Sequence, residues 1–208
     1  NNGQFTLREG VVNRGNAVEP GYLKLKKQGE GDVITSDDKV YLGSNEPKFF
    51  GGFTNRFSYK NVELSIFLQF SYGNKLFNTN HAMLRGYNNY NIEQQYYDNM
   101  WTIDRQNAPL HIYSDNIGRQ TATELQAEHA SYLKIKGISF SYRLPKKAMR
   151  HLGVKGAKVF VSGINLFTFT KYSWYDPEFS STNPLTGGLD KYSYPTARTF
   201  NAGFSIDL

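Results

Sequence analysis

Apolar and polar residues alternate one by one through the last nine residues of the chain. The apolar positions are Phe200, Ala202, Phe204, Ile206 and Leu208, and the positions between them are polar or glycine. A period of two places the apolar side chains on one face of a β-strand and the polar ones on the other. This pattern is typical of the closing strand of an outer-membrane β-barrel, and it also fits the last strand of a soluble β-sandwich.

Four further stretches have strand-like patterns, so the chain is predicted to be all-β. Together with the final strand, the predicted strands cover about residues 48–59, 62–72, 132–144, 158–170 and 196–208. Only Lys60 and Asn61 separate the first two strands, which predicts a tight hairpin. In the third strand the apolar phase changes near Lys136-Gly137, which predicts a β-bulge.

The connections between these strands alternate between short and long. Residues 60–61 and 145–156 form short connections, the second with a predicted helical turn at 146–152, whereas residues 74–131 and 171–195 form long ones. Outer-membrane barrels have short periplasmic turns and longer extracellular loops. The pattern therefore predicts an antiparallel transmembrane barrel wall with both long loops outside the cell.

The composition is compatible with this prediction and excludes other classes. No apolar run approaches the roughly 20 residues that a transmembrane helix needs, and the mean hydropathy is −0.56. The 15 Tyr and 15 Phe suit strands and interfacial aromatic girdles. The absence of cysteine excludes a disulfide framework and a thiolate metal site. The net charge is +6, but the densest basic runs are short, so nucleic-acid binding is not expected.

The number of predicted strands indicates that the chain is a piece of a longer protein. Closing the smallest barrels takes about eight strands, and the plugged transporters have about 22. The chain also opens on Asn1-Asn2-Gly3, without Met or a signal peptide. We expect residues 1–47 to be an extracellular loop region and strand lead-in, and residues 48–208 to be about five barrel strands with their loops.

Several segments resemble the C-terminal part of the SusC/RagA family of TonB-dependent outer-membrane transporters. They fit the family in order and spacing across about Gly21 to Leu208. The matching segments include Asp38-Lys39-Val40-Tyr41-Leu42-Gly43, Ser131-Tyr132-Leu133-Lys134-Ile135-Lys136, Tyr142-Arg143-Leu144-Pro145, residues 162–172, Tyr175-Asp176-Pro177-Glu178 and Arg198-Thr199-Phe200.

The resemblance implies a fold, a function and a location. Members of this family form a large barrel of about 22 strands around an N-terminal plug domain, which is absent from this chain. They import oligosaccharides, peptides or similar nutrients across the outer membrane of Gram-negative bacteria. A SusD-like surface lipoprotein is their partner, and TonB acts through the plug. The terminal strand would serve as the barrel-assembly signal, with lipid-facing Phe200, Phe204, Ile206 and Leu208.

One departure from the family concerns calcium. Family members often carry an acidic loop resembling an EF-hand just before the segment matched by residues 38–43, and carboxylates at alternating positions supply its Ca²⁺ ligands. Here Lys27 stands at an early ligand position, and Asp37 is out of register with the pattern. Asp38 keeps the last ligand position, but Glu30 and Asp32 are also out of register. They are weak candidates, and we expect a solvated acidic turn without a cofactor.

The sequence offers little support for catalysis. The four histidines are far apart in sequence and lack the spacing of metal ligands, and there is no nucleophile-elbow, P-loop or dinucleotide-binding pattern. Acidic residues such as Asp176 and Glu178 could act as a pair, but any long loop contains such residues. We therefore do not expect an enzyme.

The long loops and the polar strand positions contain the candidate contact residues. Aromatic residues among many amides suit a sugar or peptide surface. Those selected are Tyr96, Tyr97, Trp101, Trp174 and Tyr175. The alternative is that they pack the loops against each other, the barrel rim or the lipoprotein. Lumen-facing Arg56, Glu63 and Gln69 would contact the plug, line the substrate path or only hydrate the wall.

Two other functions remain open at this level. One is a soluble all-β carbohydrate-binding module that uses the Tyr and Trp loops, and the other is an outer-membrane barrel without transport. The stripe Val62, Leu64, Ile66, Leu68 and Phe70 discriminates between a module and a barrel. In a soluble module this stripe packs against protein, whereas in a barrel it faces lipid.

Overall fold

The structure is a computed structural model that describes residues 20–21, 26–30, 36–84, 91–113, 124–178, 187–191 and 193–207. By internal contacts the chain divides into two units, residues 1–42 with 79–126 and residues 43–78 with 127–208. Among the described residues, none of the helices is long and apolar enough to span a membrane.

The second unit contains all eight strands that the structure describes. They are β1 (Phe49–Tyr59), β2 (Val62–Tyr72), β3 (Lys75–Asn78), β4 (Ala127–His129), β5 (Tyr132–Arg143), β6 (Gly156–Thr170), β7 (Leu189–Asp190) and β8 (Thr199–Asp207). Five of them form an antiparallel sheet in the order β1-β2-β5-β6-β8. Each predicted strand corresponds to one strand of this sheet, so the all-β prediction is confirmed.

The predicted turns and the predicted bulge are also present. Lys60 adopts a positive φ of 52° in the two-residue turn between β1 and β2. Between β2 and β5 the register skips Lys136, because Phe67 pairs with Gly137 and Leu68 with Ile135. The short connection after β5 contains the helix Lys146–Leu152, which ends at Gly153 in the left-handed conformation.

The register gives the five-stranded sheet one apolar and one polar face. Residues paired across antiparallel strands lie on the same face, so the pairs Phe57–Leu64, Leu64–Phe140, Phe140–Val161 and Val161–Ala202 trace one row across all five strands. We call this side the apolar face. Its large side chains are Phe49, Phe53, Phe57, Tyr59, Val62, Leu64, Ile66, Leu68, Phe70, Tyr72, Leu133, Ile135, Ile138, Phe140, Tyr142, Val159, Val161, Phe167, Phe169, Phe200, Phe204 and Ile206.

The opposite side, the polar face, contains mainly small and polar residues. A middle row runs through Ser65, Ser139, Ser162 and Asn201. Two phenylalanines on this face lie over glycines of a neighbouring strand. A Cβ atom on Gly52 would lie 2.9 Å from the Phe67 ring, and one on Gly203 would lie 2.6 Å from the Phe160 ring. These glycines therefore leave room for the two aromatic rings on the polar face.

A small second sheet lies at the bases of the long loops. Strand β3 pairs antiparallel with β4 and parallel with β7. Leu76, Ala130 and Tyr172 form a buried cluster in this region, and Trp174 packs against it. These strands were not predicted from the sequence, because they are two to four residues long and show no alternation.

The first unit is built from short helices and loop segments. The described part includes 3₁₀ turns at Ser36–Asp38 and Glu124–Gln126 and the helices Thr79–Leu84 and Gln94–Asn99. Tyr96 is the fully buried residue of the second helix, and its hydroxyl lies 2.9 Å from Nδ1 of His111. His81 lies 2.7 Å from a Glu93 carboxylate oxygen. Both of these contacts are polar and lie within the described part of this unit.

Candidate functional site

A network of charged side chains lies where strand β5 meets the segment after β6. The Lys134 ammonium lies 2.5 Å from Oδ1 of Asp176 and 2.7 Å from Oε2 of Glu178. The Lys136 ammonium lies 2.7 Å from the same Glu178 oxygen. Lys134 is only 3% exposed and Asp176 6%, so their charges are buried as a pair. We call these four residues the lysine–carboxylate anchor.

The bulge of β5 explains how both lysines reach the same carboxylate. Lys134 pairs with Gln69 in the register and therefore lies on the polar face. Lys136 is the unpaired bulge residue. The ammonium groups of Lys134 and Lys136 both contact Oε2 of Glu178. Without the bulge, a regular strand with Ile138 on the apolar face would also place positions 136 and 134 on that face, away from Glu178.

Neutral groups complete the anchor. Thr196 donates its hydroxyl hydrogen to Oδ2 of Asp176 at 2.8 Å, and the Glu178 backbone N–H donates to Oδ1 at 2.9 Å. Gln69 donates from its amide nitrogen to Oε1 of Glu178 at 3.1 Å. Partial burial acts to raise the pKa of Glu178, but the hydrogen bonds from Lys134 and Lys136 outweigh it, so this pKa lies below its ordinary range.

The anchor fixes the segment that carries the aromatic pair Trp174 and Tyr175. The two rings meet edge to face, with centroids 4.9 Å apart and an interplanar angle of 63°. Trp174 packs against the buried cluster of the second unit, whereas Tyr175 is 67% exposed. Trp174 therefore packs against the protein, and Tyr175 is the exposed ring of this pair next to the anchor.

A second polar cluster fixes the beginning of the same segment. The Tyr172 hydroxyl donates to Oδ2 of Asp190 at 2.5 Å, and both groups are buried. Burial, and then the bond to Asp190, raise the pKa of Tyr172 above its ordinary range. Ser173 donates from its backbone N–H and its hydroxyl to the Glu128 carboxylate. Residues 172–178 are therefore held at both ends.

The aromatic residues predicted in the first long loop have unequal positions. Tyr96 is fully buried, which favours the packing role that the sequence analysis left open for it. Tyr97 is exposed, and Trp101 is half-buried beside Gly21, where a Cβ atom would lie 2.6 Å from the indole ring. Contact with a substrate or partner stays a prediction for this set.

The three predicted lumen-facing residues share the polar face. Arg56 and Glu63 are exposed, whereas Gln69 is half-buried and bound to Glu178. The structure thus places them opposite the apolar face, and their predicted roles toward a plug or a substrate stay predictions.

The predicted barrel-assembly residues of the last strand lie on the apolar face. Phe200 is 75% exposed and Phe204 74%, and Ile206 is also exposed. Leu208 lies outside the described residues. A role in assembly stays a prediction.

The acidic candidates for calcium are not gathered into one site in the described residues. Asp38 accepts hydrogen bonds from the Lys27 ammonium at 3.0 Å and from the backbone N–H groups of Gln28 and Gly29. Glu30 is exposed, and Asp32 lies outside the described residues. Among the residues that the structure describes, no three His, Cys, Asp or Glu side chains converge on a possible ion position. The expectation of a solvated acidic turn without bound calcium stays untested.

From the sequence, Asp176 and Glu178 were loop residues that could act as an acidic pair and Lys134 was part of a strand motif, and the anchor was not predicted. Its only signal was two lysines, Lys134 and Lys136, within an otherwise apolar strand. Their pairing with Asp176 and Glu178 depends on the chain after β6 returning to the start of β5. No local pattern encodes that return.

The chain is similar in sequence to TonB-dependent receptors. TonB-dependent receptor P3 of Formosa agariphila is 31% identical over 206 residues, which cover 95% of this chain and 20% of that receptor. TonB-dependent receptor SusC of Bacteroides thetaiotaomicron is 26% identical over 202 residues, covering 88% of this chain and 17% of SusC. The chain thus spans about a fifth of the length of the curated relatives it matches. No protein-family model matches it.

Solved structures show the same fold. The RagAB peptide importer in its open-open state matches with a TM-score of 0.73 and 22% identity, covering 95% of this chain and 21% of that one. Another structure of the RagAB peptide transporter matches with a TM-score of 0.69 and 24% identity, covering 85% of this chain and 19% of that one. The expected fold class is therefore confirmed, while the number of strands in a complete barrel stays a prediction.

Proposed function

We propose that this chain, a homologue of TonB-dependent receptors of the SusC and RagA kind, forms part of the barrel wall and the extracellular loops of an outer-membrane nutrient transporter. The observation that carries the proposal is the apolar face, which runs across all five strands. The described residues leave large side chains such as Phe57, Val161 and Phe204 exposed on it. Extended apolar patches of this kind mark surfaces that meet a membrane or another protein.

The dimensions of the apolar face suit a bilayer. Strand β2 rises by about 33 Å from Val62 to Tyr72, and a tilt of about 40° reduces this to about 25 Å, the height of the apolar band of outer-membrane barrels. Aromatic residues border the face at both ends. Tyr59 and Tyr142 lie near the short turns, and the stacked pair Phe49 and Tyr72 lies near the long loops. Such borders correspond to the two aromatic girdles.

The orientation follows from the lengths of the connections. We place the two short turns at the periplasmic side and the long loops outside the cell, because barrels of this class have that asymmetry. The polar face then lines the lumen, where Arg56 and Glu63 are exposed. The lysine–carboxylate anchor would hold the loop segment with Tyr175 at the extracellular mouth.

Transport, the partners and the substrate belong to the whole protein and form the finer part of the proposal. A plug in another part of the protein would be moved by TonB, and a SusD-like lipoprotein would assist from outside. Oligosaccharides, peptides or similar nutrients are the proposed substrates. Exposed Tyr175 and Tyr97 would supply contacts to substrate or lipoprotein. The similar proteins are receptors and an importer, which supports a role without catalysis.

Fractionation of the native full-length protein is the direct test. We expect it in the outer-membrane fraction, together with a SusD-like lipoprotein that mass spectrometry identifies after detergent solubilisation. Recovery as a soluble monomer would refute the proposal and favour a soluble carbohydrate-binding module. Recovery in the membrane without any lipoprotein would refute the proposed partner only.

A pair of neighbouring substitutions tests the orientation of the sheet. Val161→Arg places a charge in the middle of the apolar face, where the cost in a bilayer is about 2–4 kcal/mol, whereas Ser162→Arg places it on the polar face. We expect the first variant to lower the amount of folded receptor in the outer membrane and the second to leave it near the wild-type amount. Equal amounts of both variants would contradict a lipid-facing apolar face.

A further inference from the structure

We propose that the end of the sheet with the short turns binds the phosphate groups of anionic phospholipids, such as phosphatidylglycerol, in the periplasmic leaflet. The inference rests on the proposed membrane location, and it adds a site for a specific class of lipid. We call this end the cationic rim. Its members are Lys60, Arg143, Lys146, Lys147, Arg150 and Lys155.

The charge of the cationic rim is concentrated and uncompensated within its turns. All six side chains are exposed. Residues 60–61 and 143–156 contain no Asp or Glu. The formal charge of these two turns is as large as the net charge of +6 of the entire chain. The nearest carboxylates along the strands, Glu63 and Asp207, lie on the polar face and thus on the side away from lipid.

The fold joins the two turns into one surface. Strand β2 pairs with β5, so the turn before β2 lies beside the turn after β5. The Asn61 side chain donates to the Arg143 carbonyl at 2.8 Å, and the Arg143 N–H donates to the Asn61 carbonyl at 2.8 Å. In the helix after β5, Met149 is buried, while Lys146, Lys147 and Arg150 remain exposed around it. Buried apolar contact thus holds the helix in place and leaves its cations accessible.

The rim lies directly beside the apolar face. Tyr59 and Tyr142 lie at the end of the apolar face nearest the short turns. The Lys60 ammonium lies 5.2 Å from the centroid of the Tyr59 ring. Tyrosines at such a border lie at the level of the lipid head groups. A phospholipid whose acyl chains lie along the apolar face would therefore place its phosphate among these cations. A soluble anion or an acidic protein would contact the cations but not the adjoining apolar face.

Native mass spectrometry of the full-length receptor tests the proposal. The receptor is placed in nanodiscs that contain equal parts of phosphatidylglycerol and phosphatidylcholine, and the lipids retained after release are counted. We expect the wild-type receptor to retain phosphatidylglycerol preferentially. The variant Lys60→Gln, Lys146→Gln, Lys147→Gln should lose this preference by about 10- to 100-fold, since each basic residue near an anionic surface contributes to attraction.

A matched variant controls for total charge. Lys48→Gln, Lys171→Gln, Lys191→Gln removes three exposed cations near the long loops, at the other end of the sheet. This variant should keep the wild-type preference. An unchanged preference in the rim variant, or an equal loss in both variants, would overturn the proposal.

Three further outcomes distinguish a lipid from free phosphate and the rim proposal from the proposed function. Glycerol phosphate, which has no acyl chains, should not displace the retained lipid. Displacement by glycerol phosphate at a concentration similar to that of the lipid would show a site for free phosphate and refute the proposed lipid binding. A receptor that enters nanodiscs but has no preference for phosphatidylglycerol refutes the rim proposal and leaves the proposed function intact. A protein that remains soluble without lipid refutes both.

Discussion

Replacement of Lys134 with methionine would remove the ammonium that two carboxylates share at the base of a long loop. Methionine keeps much of the length of the lysine stem, so the change removes charge more than volume. Removal of one partner from a buried ion pair costs about 3–5 kcal/mol, because the other charge stays buried without compensation. Asp176 and Lys134 meet this condition, since both are less than a tenth exposed.

The remaining partners place the expected cost at the lower end of that range. Asp176 keeps the Thr196 hydroxyl and the Glu178 N–H. Glu178 keeps Lys136, and its side chain is 30% exposed to water. We therefore expect the anchor to weaken by about 3 kcal/mol. Because each 1.4 kcal/mol is about a factor of ten, the segment should open about 100-fold more often.

Hydrogen exchange of the full-length receptor in detergent measures this opening. The Glu178 backbone N–H is a direct reporter, because it donates to Asp176 at 2.9 Å. Peptides covering residues 171–178 should exchange about 100-fold faster in Lys134→Met, while peptides from strand β2 should change little. Exposed Lys171 serves as the control, and Lys171→Met should change exchange by less than about threefold.

A second variant separates charge from packing. Asp176→Asn in the Lys134→Met background removes the uncompensated charge but keeps an oxygen that accepts from the Glu178 N–H. Exchange should then slow by about tenfold relative to Lys134→Met alone. Unchanged exchange in Lys134→Met would refute the anchor as the group that holds this segment.

The other predictions concern the loop base and the polar face. Tyr172→Phe removes a hydrogen-bond donor from a buried carboxylate and should lower the free energy of unfolding by about 1–3 kcal/mol, measured by thermal unfolding of the detergent-solubilised receptor. Gly203→Leu should destabilise the receptor by about 1–3 kcal/mol, because the new side chain would overlap the Phe160 ring. Ala202→Leu, on the apolar face, should change stability by less than about 0.5 kcal/mol. Similar values for both variants would contradict the register. The pKa of Glu178 is lowered in the folded state, so its contribution to loop anchoring is present above its ordinary pKa of 4.5. This contribution is lost as the pH falls through the lower folded-state pKa. Hydrogen exchange of the loop, corrected for its intrinsic pH dependence, should therefore accelerate in that acidic window and not near neutral pH.

Much of the sheet could be read from the sequence, since strand patterns are local. The alternation from Val62 to Tyr72 assigned each side chain to the correct face, because the side-chain period of a strand is two. The phase change at Lys136-Gly137 located the bulge for the same reason. The split between Tyr96 and Tyr97 was also predictable, because adjacent helical positions point in different directions, and only Tyr96 is buried.

The second sheet and the lysine–carboxylate anchor could not be read in this way. Strands β3, β4 and β7 come from positions far apart in sequence, and each is too short for periodicity to be visible. Lys134 and Glu178 are 44 positions apart, and their contact depends on the return of the chain from β6 to β5. The sequence also could not separate Trp174 from Tyr175, because burial of the first depends on the cluster around Leu76.

The sequence by itself determined the strands, their two faces and the short turns, since these depend on residue type at a spacing of one or two positions. The tertiary structure decided which charged groups meet, which aromatic rings remain accessible, and that Lys60 and Arg143 belong to the same rim. The physical reason is the range of the interactions. Alternation acts between neighbours in the chain, whereas ion pairs and burial depend on distances that only the pairing of β2 with β5 and of β5 with β6 establishes.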